Sequence, residues 1–152
     1  SKAREIFGPS LDAGRAKRSP DLGPLEVIPA TGVCITDNPE PARLITRFGL
    51  ALYIGGMGSR EQNFYNRLVR RYGYEAEAES IQELYLARRR DEAVAAVPDA
   101  LVDEVAIIGP AAYVKDRLAE FAESGVTTLQ ASILAPDNPG RIAMLEELIG
   151  LI

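Results

Sequence analysis

The chain is 152 residues long, with 17 Lys and Arg against 22 Asp and Glu, no histidine, no tryptophan and one cysteine, Cys34. Within this chain those absences exclude a Ser-His-Asp triad, a Cys-His pair, His-ligated zinc, an intrachain disulfide and a thiolate metal cluster, so no metal site is expected. The net charge of -5 argues against a nucleic-acid grip, and no uncharged stretch approaches the ~20 residues of a membrane span. At 47% hydrophobic and 26% charged the composition is that of a globular chain, and the length suits one domain. A lone cysteine and no signal-peptide layout at the start fit a reducing cytoplasm. The first Met is Met57, so translation is expected to begin upstream of Ser1.

Residues 2–17 read as a short helix that Pro9 interrupts, because proline lacks an N–H and clashes with the preceding turn. Ser19 to Pro24 reads as a loop. Leu25 to Thr36 is β-rich, with Pro29 and Gly32 predicting a bulge or break. Thr36-Asp37-Asn38-Pro39 is a helix start signal, a short polar cap followed by a proline preset for the first turn. The helix that follows is apolar on most sides, from Ala42 to Tyr53, which predicts deep burial. Gly55-Gly56-Met57-Gly58 ends it. Ser59 opens a second helix, with Phe64, Leu68 and Val69 as its apolar stripe and Arg67, Arg70 and Arg71 near its end. After a break at Tyr72-Gly73-Tyr74, Glu75 to Ala96 reads as a third helical stretch, buried through Ile81, Leu84, Tyr85 and Leu86. Arg88-Arg89-Arg90 face water. Pro98 starts a short helical turn through Val102.

The last third has the clearest pattern. Val105 to Ile108 is a short apolar run. Gly109-Pro110 opens a helix with Tyr113, Val114, Leu118, Phe121 and Ala122 on one face, and Gly125 closes it. Val126 to Leu134 reads as a buried strand. Pro136-Asp137-Asn138-Pro139 caps a final helix with Ile142, Leu145, Leu148 and Ile149 facing inward. Helix, glycine, strand and capped helix in succession are the local grammar of a parallel α/β fold. Yet the count is two strands against six or seven helical pieces, too few strands for a stable sheet. Neighbouring strands are therefore expected outside this chain.

Few residues carry a chemical signal. Gly55 to Ser59 could cradle an anion at a helix N-terminus, but it lacks the Lys-Ser/Thr of a P-loop and the preceding strand of a dinucleotide fingerprint, so a tight link between helices is the preferred reading. Tyr53, Met57, Asn63, Phe64 and Tyr65 could line a pocket, against the simpler reading of core. Arg60 is the nearby cation that could meet an acidic ligand. Thr36 and Asp37 cap a helix, yet they also sit where parallel α/β folds place their sites. Cys34, between Val33 and Ile35, reads as a buried structural thiol. No residue is singled out as catalytic.

The order of elements, with Ala51-Leu52-Tyr53-Ile54-Gly55-Gly56-Met57-Gly58, Asn63-Phe64-Tyr65-Asn66, Arg71-Tyr72-Gly73-Tyr74, Ile107-Ile108-Gly109-Pro110 and Gly125-Val126-Thr127-Thr128-Leu129, resembles the luciferase-like monooxygenase family. Within it the chain is most similar to the branch that uses the deazaflavin coenzyme F420. The opening Ala3-Arg4-Glu5-Ile6-Phe7-Gly8-Pro9-Ser10-Leu11 resembles the helix before the seventh barrel strand. The resemblance implies an α/β fold, the C-terminal part of a (β/α)8 TIM barrel. Leu25–Thr36 would be strand seven and Val126–Leu134 strand eight, joined by an enlarged, helix-rich connection, with residues 1–152 forming a single segment. Where many relatives have Gly-Thr-Pro this chain has Gly109-Pro110-Ala111, so no role of that hydroxyl carries over. The resemblance further implies hydride transfer between reduced deazaflavin and a small organic substrate, with the cofactor bound mainly outside this segment and the segment alone inactive. Thr36, Asp37, Tyr53, Met57, Arg60, Asn63 and Phe64 are its pocket candidates, Leu134 and Ala135 lie at the other strand end, and the parent is expected to be a homo-oligomer. FMN-dependent monooxygenation is the sibling reading. A non-catalytic module that completes a barrel or binds a partner is the third.

Overall fold

The computed structural model describes residues 2–152. In chain order the elements are α1 (Lys2–Ala16), β1 (Ala30–Ile35), α2 (Glu40–Gly56), α3 (Phe64–Arg71), α4 (Glu75–Leu86), α5 (Arg90–Ala95), α6 (Asp99–Val105), β2 (Ala106–Gly109), α7 (Ala111–Glu123), β3 (Gln130–Ile133) and α8 (Asn138–Gly150). The run at Val105–Ile108 is thus a third strand. All pairing is parallel, in the order β2-β1-β3, with Val33 opposite both Ile107 and Ile133.

Side chains of a strand alternate between faces, and β1 divides the core accordingly. Cys34 joins Ala106 and Ile108 in a cluster with Ala51, Ile54, Ile81, Leu101 and other residues of α2 to α6. Val33 and Ile107 point the other way, onto Val114 of α7 and Leu148 of α8. The chain therefore covers both faces of its own sheet. The helices leading out to β2 lie over one face, and α7, on the way back to β3, lies over the other. Right-handed crossovers in opposite directions require that arrangement.

Strands β1 and β3 are shorter than the apolar runs that contain them. Pro29 has no N–H to give, so β1 starts at Ala30, although the Pro29 carbonyl already accepts Gln130 N–H at 3.0 Å. Upstream the chains still run side by side: Val27 O accepts Thr127 N–H (3.1 Å) and Val27 N–H donates to Thr127 Oγ1 (2.9 Å). In β3, residues alternate between exposed and half-buried, so the strand expected to be buried lies at an open edge.

Other expectations change as well. Pro9 lies inside an unbroken α1. Ser59 does not open α3; its Oγ accepts Gln62 N–H (3.1 Å) in a turn, and the helix starts at Phe64. The stretch 75–96 is two helices, split where Arg88 takes a φ of 64°. Helix α2 begins without a side-chain cap; the Thr36 hydroxyl accepts Asn38 N–H (3.0 Å) one turn too early. Asp137 does cap α8, accepting Gly140 N–H at 2.7 Å. Of the four apolar residues expected to face inward on α8 only Leu148 is buried, and Ile142, Leu145 and Ile149 are exposed. The surprise with most consequence is α2. Its inner side is buried through Ala51 and Ile54, but Leu44, Ile45, Phe48 and Leu52 are 41–60% exposed. At its end, Gly55 and Gly56 lie flat against Tyr85 of α4, and a Cβ on either would overlap that side chain.

Candidate functional site

Because the strands are parallel, their carboxyl ends share one edge of the sheet, and α2, α7 and α8 all start from it. Strand order reverses at β1, and in open α/β sheets that reversal opens a crevice beyond the strand ends. Thr36, Asp37, Leu134 and Ala135 stand there. Thr36 is half-buried; its N–H donates to Gly109 O (2.9 Å), and its hydroxyl is engaged with Asn38. Asp37 is exposed. Leu134 packs over Gly32, 3.1 Å from where a Cβ would stand, so a larger residue at 32 would displace it.

The remaining candidates lie at the opposite end of α2. From Glu40 to Tyr53 is thirteen steps of helix, about 20 Å at 1.5 Å per residue, so the structure does not bring the two groups into one pocket. At this far corner Tyr53 and Tyr65 pack with ring centroids 4.6 Å apart, and Phe64 meets Tyr65 edge-on at 5.4 Å. Met57 and Phe64 are exposed. Arg60 is exposed and reaches Glu83 (3.7 Å). Asn63 is 1% exposed and caps α3, accepting Asn66 N–H (3.0 Å) while its amide donates to the carbonyls of Tyr53 (3.0 Å) and Ile54 (2.9 Å). Its polar atoms are spent on joining α2 to α3. Asn66, buried beside it, donates to Ala78 O (2.8 Å) and accepts from Arg70 Nε (2.8 Å). Sequence reasoning missed that role, although Asn at a helix start three residues before a second Asn was a usable signal.

Two charged clusters are structural. Arg43 and Arg47 of α2 meet Asp99 and Asp103 of α6, with Arg43–Asp103 at 2.5 Å and Arg47 paired to Asp99. The hydrogen bond from Arg47 is the main reason that the Asp99 carboxyl is held below its ordinary pKa. Elsewhere Glu104 accepts from Lys2 (2.7 Å) and the Tyr74 hydroxyl (2.9 Å). Burial, then the Glu104 hydrogen bond, pushes the Tyr74 pKa up. Burial does the same to the Cys34 thiol, the free cysteine inside the sheet. Among the described residues, one groove of about 520 Å³ lies between α2 and the α5–α6 link, and another of about 540 Å³ between the end of α1 and Leu22–Leu25. Neither is at the carboxyl edge. Among the described residues no three His, Cys, Asp or Glu side chains could hold a metal ion, and no helix is long and apolar enough to cross a membrane.

Comparison with known proteins follows the same lines. Residues 1–128 match the family model for luciferase-like monooxygenases. Over 104 residues the chain is 36% identical to a Mycobacterium tuberculosis (strain H37Rv) protein, Rv3520c, assigned by name only to the coenzyme F420-dependent oxidoreductases; the match covers 68% of this chain and 30% of that protein. The solved coenzyme F420-dependent tetrahydromethanopterin reductase of Methanopyrus kandleri superposes on 98% of this chain with a TM-score of 0.66 and 25% identity, and the match spans 40% of that reductase. The chain thus spans well under half the length of either relative. With 128 of its residues fitting one family model and its α/β fold overlaying an F420-dependent reductase, the chain belongs to the luciferase-like monooxygenase family.

Proposed function

We propose that this chain is part of an F420-dependent oxidoreductase that moves a hydride between reduced deazaflavin and a small organic substrate. The observation that carries the proposal is the overlay of 98% of the chain on an F420-dependent reductase, with a second F420-assigned relative at 36% identity. Within that enzyme, β1 and β3 act as barrel strands seven and eight. Their parallel, adjacent pairing supports this reading; β2 comes from the enlarged connection yet pairs with β1 from Gly32 to Ile35, along the edge where a sixth barrel strand would pair.

The residues present do not by themselves fit the coenzyme. The Thr36 hydroxyl is tied up in its own turn, Asp37 is an acid at the crevice, and both grooves lie elsewhere. No chemical step is therefore assigned to a residue of this chain. Its contribution is a wall, with Thr36, Asp37, Leu134 and Ala135 closing one side of a pocket whose other sides come from the rest of the fold. This division matches an enzyme that must hold a cofactor rigidly beside its substrate.

The test is equilibrium dialysis with coenzyme F420 and with FMN. One sample is this chain alone. The other is a hybrid in which it replaces the matching segment of the M. tuberculosis relative. The expected result is F420 binding by the hybrid only. A folded hybrid that retains FMN instead, or binds neither, sinks the reading, as does tight F420 binding by the chain alone. The last outcome would also exclude a purely barrel-completing role.

A further inference from the structure

The ladder between β1 and β3 loses its last rung at the edge where Thr36 and Leu134 stand. Leu134 N–H donates to Val33 O at 2.9 Å. A strand residue turns its N–H and C=O to the same side, so the next bond of a parallel pair would run from Ile35 N–H to Leu134 O. Ile35 N–H goes instead to Sδ of Met144 on α8, at 3.4 Å. Among the described residues no backbone N–H donates to Leu134 O. On its other side β1 pairs further, with Ile35 opposite Gly109 and a bond from Thr36 N–H to Gly109 O (2.9 Å). The parting is therefore confined to the β3 side. We propose that Met144 is a positioning residue for the pocket, an assignment that rests on reading this edge as a pocket wall. Its thioether stands in for the Leu134 carbonyl, keeps β1 and β3 apart at their carboxyl ends, and so holds Thr36 and Leu134 on opposite sides of an open crevice.

Three observations give this role to the sulfur. First, the N–H needs an acceptor. Ile35 is half-buried at the end of the central strand, where an orphaned N–H costs as much as a lost hydrogen bond. Leucine would fill the same space but accept nothing, whereas a thioether accepts weakly. Second, Met144 is placed unlike its neighbours on α8. Ile142, Leu145 and Ile149 are exposed, and Leu148, one turn on, packs with Val33 on one face of the sheet. Met144 packs against the cluster of Cys34, on the other face. From α8 a side chain reaches that cluster only past the carboxyl ends of the strands, because β1 and β3 are paired up to Val33 and Ile133. Met, unbranched and flexible, suits that path. Third, Leu134 leaves room for it. The register sets Leu134 opposite Cys34, yet its side chain lies over Gly32, two residues back along β1, where a Cβ would crowd it at 3.1 Å. The space beside Cys34 at the edge falls to Met144.

The experiment is NMR on the 152-residue chain, reading couplings across hydrogen bonds and amide exchange. The wild type should show a coupling from Leu134 N to Val33 C′ and none from Ile35 N to Leu134 C′. Met144→Ala removes the spacer, so the Ile35–Leu134 coupling should appear. Met144→Leu keeps the bulk without the acceptor, so the Ile35 amide should exchange about tenfold faster while the Val33 amide is unchanged. Met144→Gln has the same length and a side-chain carbonyl, and it should restore the protection. A residue that merely fills the core would rank the other way, with leucine harmless and glutamine disruptive. That ranking overturns the proposal, and so does an Ile35–Leu134 coupling in the wild type or its absence in a folded Met144→Ala chain. If the alanine variant does not fold, the leucine and glutamine variants decide. Neither readout involves a coenzyme. A hybrid that fails to bind F420 sinks the reading of the wall and leaves these couplings as they are.

Discussion

Buried amides show how the same residue type can be an asset or a burden. Asn63 and Asn66 are each almost wholly buried and each satisfied, and together they fasten α2, α3 and α4 at one corner. Gln82 is equally buried on α4, yet its amide nitrogen has no partner. An unsatisfied buried donor costs more than a hydrogen bond returns. Gln82→Met keeps the length and removes the donor, and it should raise stability by about 1 kcal/mol. Urea unfolding with an unchanged slope checks this; a lower midpoint would mean that the amide is satisfied in solution. The sequence displays all three amides, but not which way they face. Asn63 reads as a pocket candidate because it is the one amide among Tyr53, Met57, Phe64 and Tyr65, and only the position of the Tyr53 and Ile54 carbonyls reveals it as a clamp.

Among the elements, those fixed by local chemistry are legible and those fixed by neighbours are not. The α8 cap at Asp137, the turn at Gly73 with a φ of 90° and the turn at Gly125 with a φ of 91° follow from side chains and backbone freedom within a few residues. The extent of β1, the existence of β2 and the exposure of α2 depend on what lies across the sheet, and periodicity carries no such information. The break between α4 and α5 is intermediate. Its three arginines read as a solvated helix face, but Arg88 adopts the left-handed conformation that ends α4, at a cost of about 1 kcal/mol for a residue with a Cβ. Arg88→Gly should therefore raise the thermal midpoint despite adding a flexible residue, with a gain of about 0.5–1 kcal/mol in denaturant titration. Loss of stability would show that the Arg88 side chain holds the corner by contacts that the exposed position does not suggest.

At the scale of the whole molecule, the sheet is finished on one side only. Among the described residues both outer strands pair with β1 alone, but all four residues of β2 are buried, whereas those of β3 alternate between exposed and half-buried. Gln130 and Leu134 donate their N–H groups to Pro29 and Val33, so by the alternation of a strand Ala131 and Ile133 send theirs to the open edge. That edge carries no Pro, Lys or inward charge, the devices that usually discourage further pairing. It fits the barrel reading, in which another strand lies there. In hydrogen exchange on the isolated chain, Ala131 and Ile133 should exchange far faster than Ser132 between them, whose N–H the same alternation turns toward β1. In the hybrid protein their protection should rise to match. Equal protection in the chain alone would mean that the edge is already covered.

The contact of Gly55 and Gly56 with Tyr85 has a mechanical consequence. In sequence the Gly-Gly-Met-Gly run reads as a tight link between two helices. With the two glycines seated flush on an aromatic ring, the joint has no play. Any tilt of α4 is passed to α2 as to the other arm of a lever, whose long end carries Thr36 and the sheet edge while its short end carries Tyr53. A bulkier residue at 55 would overlap Tyr85 and prise α2 from α4, loosening the beam that holds the pocket wall.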